Sequence, residues 1–277
     1  MQKYSIGVFD SGFGGLAVFK EISKALPQYN YIYLGDTANC PYGNRSQTQI
    51  YQFTQQAVDF LFSQNCFLVI LACNTSSCLA LHIIQQEYLF KNYPSRRVLG
   101  VVVPASEEAA LLTKNMKIGV IATKATVSSL AFKRELTKLN PKIKVFQQAC
   151  PLLVPLIEQG KHNASETKTL LQKYLKRILK EGIDTLILGC THYGLLEKQI
   201  QHFGNDRLQN VEVVSEGKIT AKKLKDYLLR HPEIETKLAI ESKLSFLTTG
   251  KVVKFKKLAS LFYGKEILPK KVKLNCL

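Results

Sequence analysis

Residues 68–77 read LVILACNTSS, and residues 185–194 read TLILGCTHYG. Each opens with an apolar run of strand length and ends on a cysteine followed by small polar residues. Neither run alternates apolar with polar, which is the pattern of a strand buried on both faces of a parallel sheet. Residues just past such a strand stand at its carboxyl end, where open parallel α/β sheets bind their ligands. Cys73 and Cys190 thus occupy equivalent positions, each closing its own buried strand.

Working outward, short apolar runs recur at 6–9, 31–34, 98–103, 118–122, 144–147 and 212–214, with helical patterns such as 48–63 and 166–181 between them. This alternation predicts parallel sheets covered by helices on both faces. The chain also resembles itself. IGVFDSGFGGLAVFKEI at Ile6 matches IGVIATKATVSSLAFKREL at Ile118. Cys40-Pro41 matches Cys150-Pro151, and the Cys73 stretch matches the Cys190 stretch, all in the same order and at offsets near 110 residues. A repeat of that length means two similar domains rather than a solenoid of short units. The predicted fold is α/β, with two pseudo-symmetric doubly wound parallel-sheet domains facing a central cleft. The first spans 1–97 plus a C-terminal return at 208–277, and the second spans 98–207. Residues past 207 have no partner in the repeat. Val213 and Val214 are expected to add a strand to the first domain, and 246–264 a closing helix.

Composition limits the function. The chain has 277 residues, 46% of them hydrophobic, and no apolar run approaches the length of a membrane span. The first residues, MQKYSIGVFD, lead into a strand pattern without a signal-peptide core, so a cytoplasmic protein is expected. Its seven cysteines are odd in number and form no CxxC, which speaks against a disulfide framework or a structural zinc site. Cys190 and His192 alone offer two metal ligands, and no metal is expected. The net charge of +17 is uneven: residues 217–277 hold 15 Lys and Arg against 5 Asp and Glu. That basic region could offer a surface to an acidic partner, but with no nucleic-acid-binding motif or aromatic-interleaved basic stretch a solvated basic face is the favoured reading.

If the two strand ends meet across a pseudo-twofold axis, Cys73 and Cys190 approach one ligand from opposite sides. Facing thiols suit proton removal from one face of a carbon and proton return to the other, which is racemisation by two bases. One thiolate and one thiol are then required, with a neighbouring base to take the extra proton. Asp10, just past the first strand, Glu158 in CPLLVPLIEQG, and His192 are the candidate relays. Each has a bland alternative: Asp10 as a helix cap, His192 as an interior histidine, Glu158 as a surface residue. DSGFGG at 10–15 forms a glycine-rich turn whose free N–H groups suit an anion, but it is neither a Walker loop nor GxGxxG. Tyr42, Gly43, Asn74, Thr75 and Thr191 offer neutral polar groups to a small zwitterion.

Taken together, FDSGFGGL, YLGDTANCPYGNRS, ACNTSS, VVPA, CPLLVPLIEQG, LGCTHYGLL and FLTTG resemble the glutamate racemases of the aspartate/glutamate racemase superfamily, from residue 6 to about 264. The resemblance implies interconversion of L- and D-glutamate without pyridoxal phosphate or another cofactor, supplying D-glutamate for peptidoglycan and so for cell-wall biogenesis and cell shape. It implies Cys73 and Cys190 as the proton donors and acceptors, the first working on the D-isomer and the second on the L-isomer. Asp10 and Ser11 contact substrate or assist the first thiol, and Glu158 and His192 assist the second. Tyr42, Gly43, Asn74, Thr75, Thr191 and His192 bind substrate, and a homodimer is the common assembly. One departure stands in VEVVSEGKITA, where Ser215-Glu216 replaces the family's usual Asp. An aspartate racemase, a decarboxylase, a Cys-His hydrolase and a binding protein are the competing readings. A decarboxylase is expected to keep one thiol only, and a hydrolase or a binder has no role for the matched pair.

Overall fold

The structure, a computed structural model, describes residues 3–207 and 211–274. Strands β1 (Ser5–Asp10), β2 (Tyr31–Gly35), β3 (Cys66–Leu71), β4 (Arg97–Gly100), β9 (Leu244–Thr248) and β10 (Pro269–Lys271) form one sheet in the order β10-β9-β2-β1-β3-β4. Strands β5 (Lys117–Ala122), β6 (Lys144–Ala149), β7 (Thr185–Gly189) and β8 (Glu212–Val214) form a second in the order β6-β5-β7-β8. All pairings are parallel; Phe9, for example, stands between Leu34 and Leu71. The orders β2-β1-β3-β4 and β6-β5-β7-β8 are the same order displaced by four strands, so the repeat read from the sequence is a repeat of topology. Every residue of β3 and β7 is buried, which accounts for their unbroken apolar runs.

Three expectations change. The run at 98–103 stops being a strand at Gly100, because Val102 opens the helix Val102–Leu112. Pro104 sits in that helix's first turn, where a missing N–H costs nothing. Residues 212–214 pair with β7 in the second sheet and not with the first. They are the counterpart of β4, so the repeat continues past residue 207. Residues 246–264 are not one helix: β9 runs alongside β2, and Thr249-Gly250 turn the chain into the helix Val252–Tyr263. A boundary after residue 97 would cut β4, all four of whose residues pair with β3. Residue 208 and Cys276 lie outside the described residues. Among those residues no helix is long and apolar enough to cross a membrane.

One core runs through both sheets' surroundings. Phe13, Leu16 and Phe19 from the first half share a buried cluster with Leu153, Val154, Ile157 and Tyr193 from the second. The closest approach is at the turn 10–15. A Cβ on Gly14 would lie 2.7 Å from the His192 backbone nitrogen and 2.8 Å from its Nδ1, and one on Gly15 would lie 2.8 Å from Asp10 Cγ. The missing side chain at Gly14 lets the start of helix Gly15–Ala25 touch the turn Thr191–Leu196, and the one at Gly15 makes room for Asp10. Gly14→Ala is therefore expected to destabilise the protein by about 1–3 kcal/mol through overpacking. Gly194→Ala, where an added Cβ meets nothing within 4 Å, changes stability little. Denaturant midpoints of the two variants check this pair.

Candidate active site

The first wall of the cleft comes from the ends of β1 and β3. Cys73 precedes the helix Asn74–Leu79, and its Sγ lies 3.3 Å from Ser11 Oγ. Asp10, the last residue of β1, is completely buried. Its Oδ1 accepts the Gly12 N–H at 2.8 Å, and its Oδ2 accepts Thr191 Oγ1–H at 3.1 Å. Asp10 thus reaches from behind Cys73 to the residue beside Cys190. With the Gly12 N–H taken and Gly14 and Gly15 pressed against neighbours, the glycine turn serves close approach and is not an open anion cradle.

The second wall comes from the end of β7 and from the helix Leu153–Glu158. Cys190 leads into the tight turn Thr191–Leu196, which swings His192 back so that Nδ1 is 3.9 Å from Cys190 Sγ. The other ring nitrogen, Nε2, lies 3.2 Å from Glu158 Oε1. Cys40 Sγ–H donates to the same oxygen at 3.0 Å. Two donors on one carboxylate oxygen favour its anionic form. Burial pushes the Glu158 carboxyl up, but the hydrogen bond and charge of His192, the Cys40 bond and the Lys254 charge outweigh it and hold it below its ordinary value. The carboxylate beside Nε2 orients the ring, and Nδ1 is the nitrogen that faces Cys190.

Burial dominates the thiols. It pushes Cys73 up, helped by the Asp10 charge and opposed by hydrogen bonds from Ser11 and Ser76. Cys190 is pushed further by burial, opposed by the His192 backbone N–H and aided by the Asp10 charge. Burial thus favours the thiol form of both, and a thiolate on either needs a partner that takes its proton. Asp10 is itself pushed up by burial, although His192, Gly12, Thr191 and Gly15 pull the other way. It is a carboxylate readier than most to hold a proton.

Cys73, Ser11, Asn74 and Thr75 line the cleft from the first half, and Cys190, Thr191 and His192 from the second. Tyr42 and Gly43 also line it, but the Tyr42 hydroxyl is spent on Asp36 Oδ2 at 2.6 Å. Asp10 and Glu158 stand behind this lining. No Lys or Arg is among the lining residues, so a bound anion meets neutral donors. Sequence reasoning passed over Thr123, Cys40 and Glu216. Thr123 Oγ1 lies 3.1 Å from Thr75 Oγ1, and it occupies the repeat position of Ser11, a signal that was available. Cys40 had its Cys-Pro match to Cys150, but nothing local announced Glu158 as its partner. Among the described residues no three His, Cys, Asp or Glu side chains gather as a metal site would.

Because the folded Glu158 carboxyl is held low, its contribution to stability is present above the ordinary carboxylate value and is lost as pH falls through the folded value. Glu158→Gln is expected to cost about 1–3 kcal/mol at pH 7, and the gap to the parent narrows below about pH 5. Denaturant midpoints across that range measure it.

The sequence matches the Asp/Glu/Hydantoin racemase family over residues 6–224. A glutamate racemase of Aquifex aeolicus (strain VF5) is 38% identical over 265 residues, covering 96% of either chain. Among solved structures, a glutamate racemase isoform from Bacillus anthracis superposes with a TM-score of 0.88 at 35% identity, covering 99% of both chains. The glutamate racemase of Francisella tularensis, solved in complex with D-glutamate, gives 0.86 at 32% identity and the same coverage. With its matched thiols at the ends of β3 and β7, the chain belongs to the Asp/Glu racemase family, among the glutamate racemases, and is an amino-acid isomerase.

Proposed function

We propose that the protein interconverts L- and D-glutamate by moving protons between two cysteines, without pyridoxal phosphate, and so supplies D-glutamate for peptidoglycan in the cytoplasm. The observation that carries this reading is the pair of thiols lining one closed cleft, each backed by its own acid–base partner. Cys190 passes its proton toward His192 Nδ1, whose ring is held by Glu158. The thiolate then takes the α-proton of L-glutamate, and the Cys73 S–H gives a proton to the opposite face of Cα. The reverse direction uses Cys73 as base, with Ser11 at its sulfur and Asp10 behind it as proton acceptor.

An amino acid α-proton is far less acidic than a thiol, so charge developing toward the substrate carboxylate has to be stabilised. Ser11 and Thr75 supply hydroxyl dipoles, and exclusion of water strengthens them. A cleft of neutral donors also fits a zwitterion, whose own charges need orientation more than neutralisation. Glutamate over aspartate is supported by the names of the relatives at about 38% identity. The two sheets are proposed to act as two domains that part to admit substrate.

The deciding experiment follows the circular dichroism of L-glutamate, then of D-glutamate, with purified protein in D₂O and a reductant. Loss of signal from both sides with deuterium at Cα is expected; an unchanged signal with either enantiomer would sink the proposal. Cys73→Ser and Cys190→Ser should each lower racemisation by about 10³-fold or more while keeping the fold, and each should exchange the α-proton of one enantiomer faster than it inverts it. Full activity in either variant excludes the two-thiol mechanism.

A further inference from the structure

The helix Glu216–Arg230 begins with a carboxyl group that the proposed reaction does not use. Glu216 is 4% exposed, and its Oε2 accepts the Asn74 Nδ2–H at 2.8 Å. Its other oxygen, Oε1, is buried and meets no donor, and neither does the buried Oδ1 of Asn74. Among the described residues no cation forms an ion pair with Glu216. The charged and titratable groups around it are Asp10 at the end of β1, the thiols of Cys190 and Cys78, and Lys20 and Glu21 on helix Gly15–Ala25. Glu107 and Glu108 on helix Val102–Leu112, Glu197 and Lys198 just after the turn Thr191–Leu196, and Lys218 on its own helix are the others, and Glu107 is occupied by Lys223.

We propose that Glu216 is held as a neutral carboxylic acid that grips the Asn74 amide at both ends, accepting Nδ2–H through Oε2 and donating Oε1–H to Oδ1, and so fixes Asn74 beside Cys73. One proton then satisfies both orphan oxygens and removes a buried charge. The helix N-terminus favours the anion, but that effect is smaller than the cost of an unpaired buried charge. Burial pushes this carboxyl well above the ordinary range, the Asp10 charge adds to it, and only the Asn74 bond opposes it. Glu216 is a positioning residue: it lies behind the cleft and acts through Asn74, which lines it. The pairing stands on these contacts alone, whereas its effect on turnover rests on the racemase reading above.

The test compares parent, Glu216→Gln and Glu216→Leu as full chains. The amide of Gln mimics the neutral acid and cannot ionise. A group whose folded pKa is raised gives stability that is complete below its unfolded value and lost as pH rises toward the folded one. The melting temperature of Glu216→Gln should therefore gain on the parent by roughly 3–5 °C per pH unit from about pH 5 upward, until the folded value is passed. Parallel curves overturn the neutral-acid pairing. In kinetics with glutamate, Glu216→Leu should raise KM by about tenfold with a smaller change in kcat, and Glu216→Gln should recover most of that loss. Equal KM values for Leu and Gln overturn the positioning role. If Glu216→Leu does not fold, the pH series on parent and Gln decides by itself. A parent that does not racemise glutamate defeats the racemase reading, while the melting curves still judge the pairing.

Discussion

The bond from Thr191 Oγ1–H to Asp10 Oδ2 ties the carboxyl end of β1 to the carboxyl end of β7. The rest of the cleft depends on the backbone approach that makes it. A side chain at Gly14 would push the turn Thr191–Leu196 away, moving Thr191 and His192 with it, and one at Gly15 would displace Asp10. Water would then enter beside both thiols, and burial, the largest influence on Cys73, Cys190, Asp10 and Glu158, would be lost. A steric constraint of a few methyl groups therefore controls the electrostatics of the site.

That electrostatic state is consistent across the cleft. Thiols and Asp10 are pushed up by burial, while Glu158 is held down by its two donors. Glu158, held low, stands where it orients an imidazole; Asp10, whose donors are outweighed by burial, stands where a proton can reside. Groups of the same chemical type are set to different protonation by their immediate surroundings, as acid–base chemistry near neutral pH requires. The pseudo-symmetry is broken for the same reason. Asp10 in the first half has Ala122 as its counterpart in the second, and the second half supplies Glu158 and His192 from other elements instead.

Much of this was legible in the chain. The unbroken apolar runs of β3 and β7 identified parallel strands, because burial on both faces leaves no polar alternation. The repeat at 112, 110 and 117 residues identified two similar halves. Cys73, Cys190, Ser11 and His192 were placed by sitting just past strand ends. The errors fell where local pattern is ambiguous. Residues 102 and 103 continue an apolar run yet belong to a helix, and 246–264 mixes a strand with a helix across Thr249-Gly250. Residues 212–214 read as a strand but carry no mark of which sheet receives them.

By itself the sequence determined the α/β class, the duplication and the two thiols at equivalent strand ends, since periodicity and order along the chain are local properties. Only the tertiary structure decided that Asp10 serves the far wall through Thr191, that Cys40 and His192 converge on Glu158, and that Glu216 meets Asn74 across 142 positions of chain. Those contacts join elements distant in sequence, and ionisation in a closed cleft depends on what surrounds a group in space, which no spacing along the chain records.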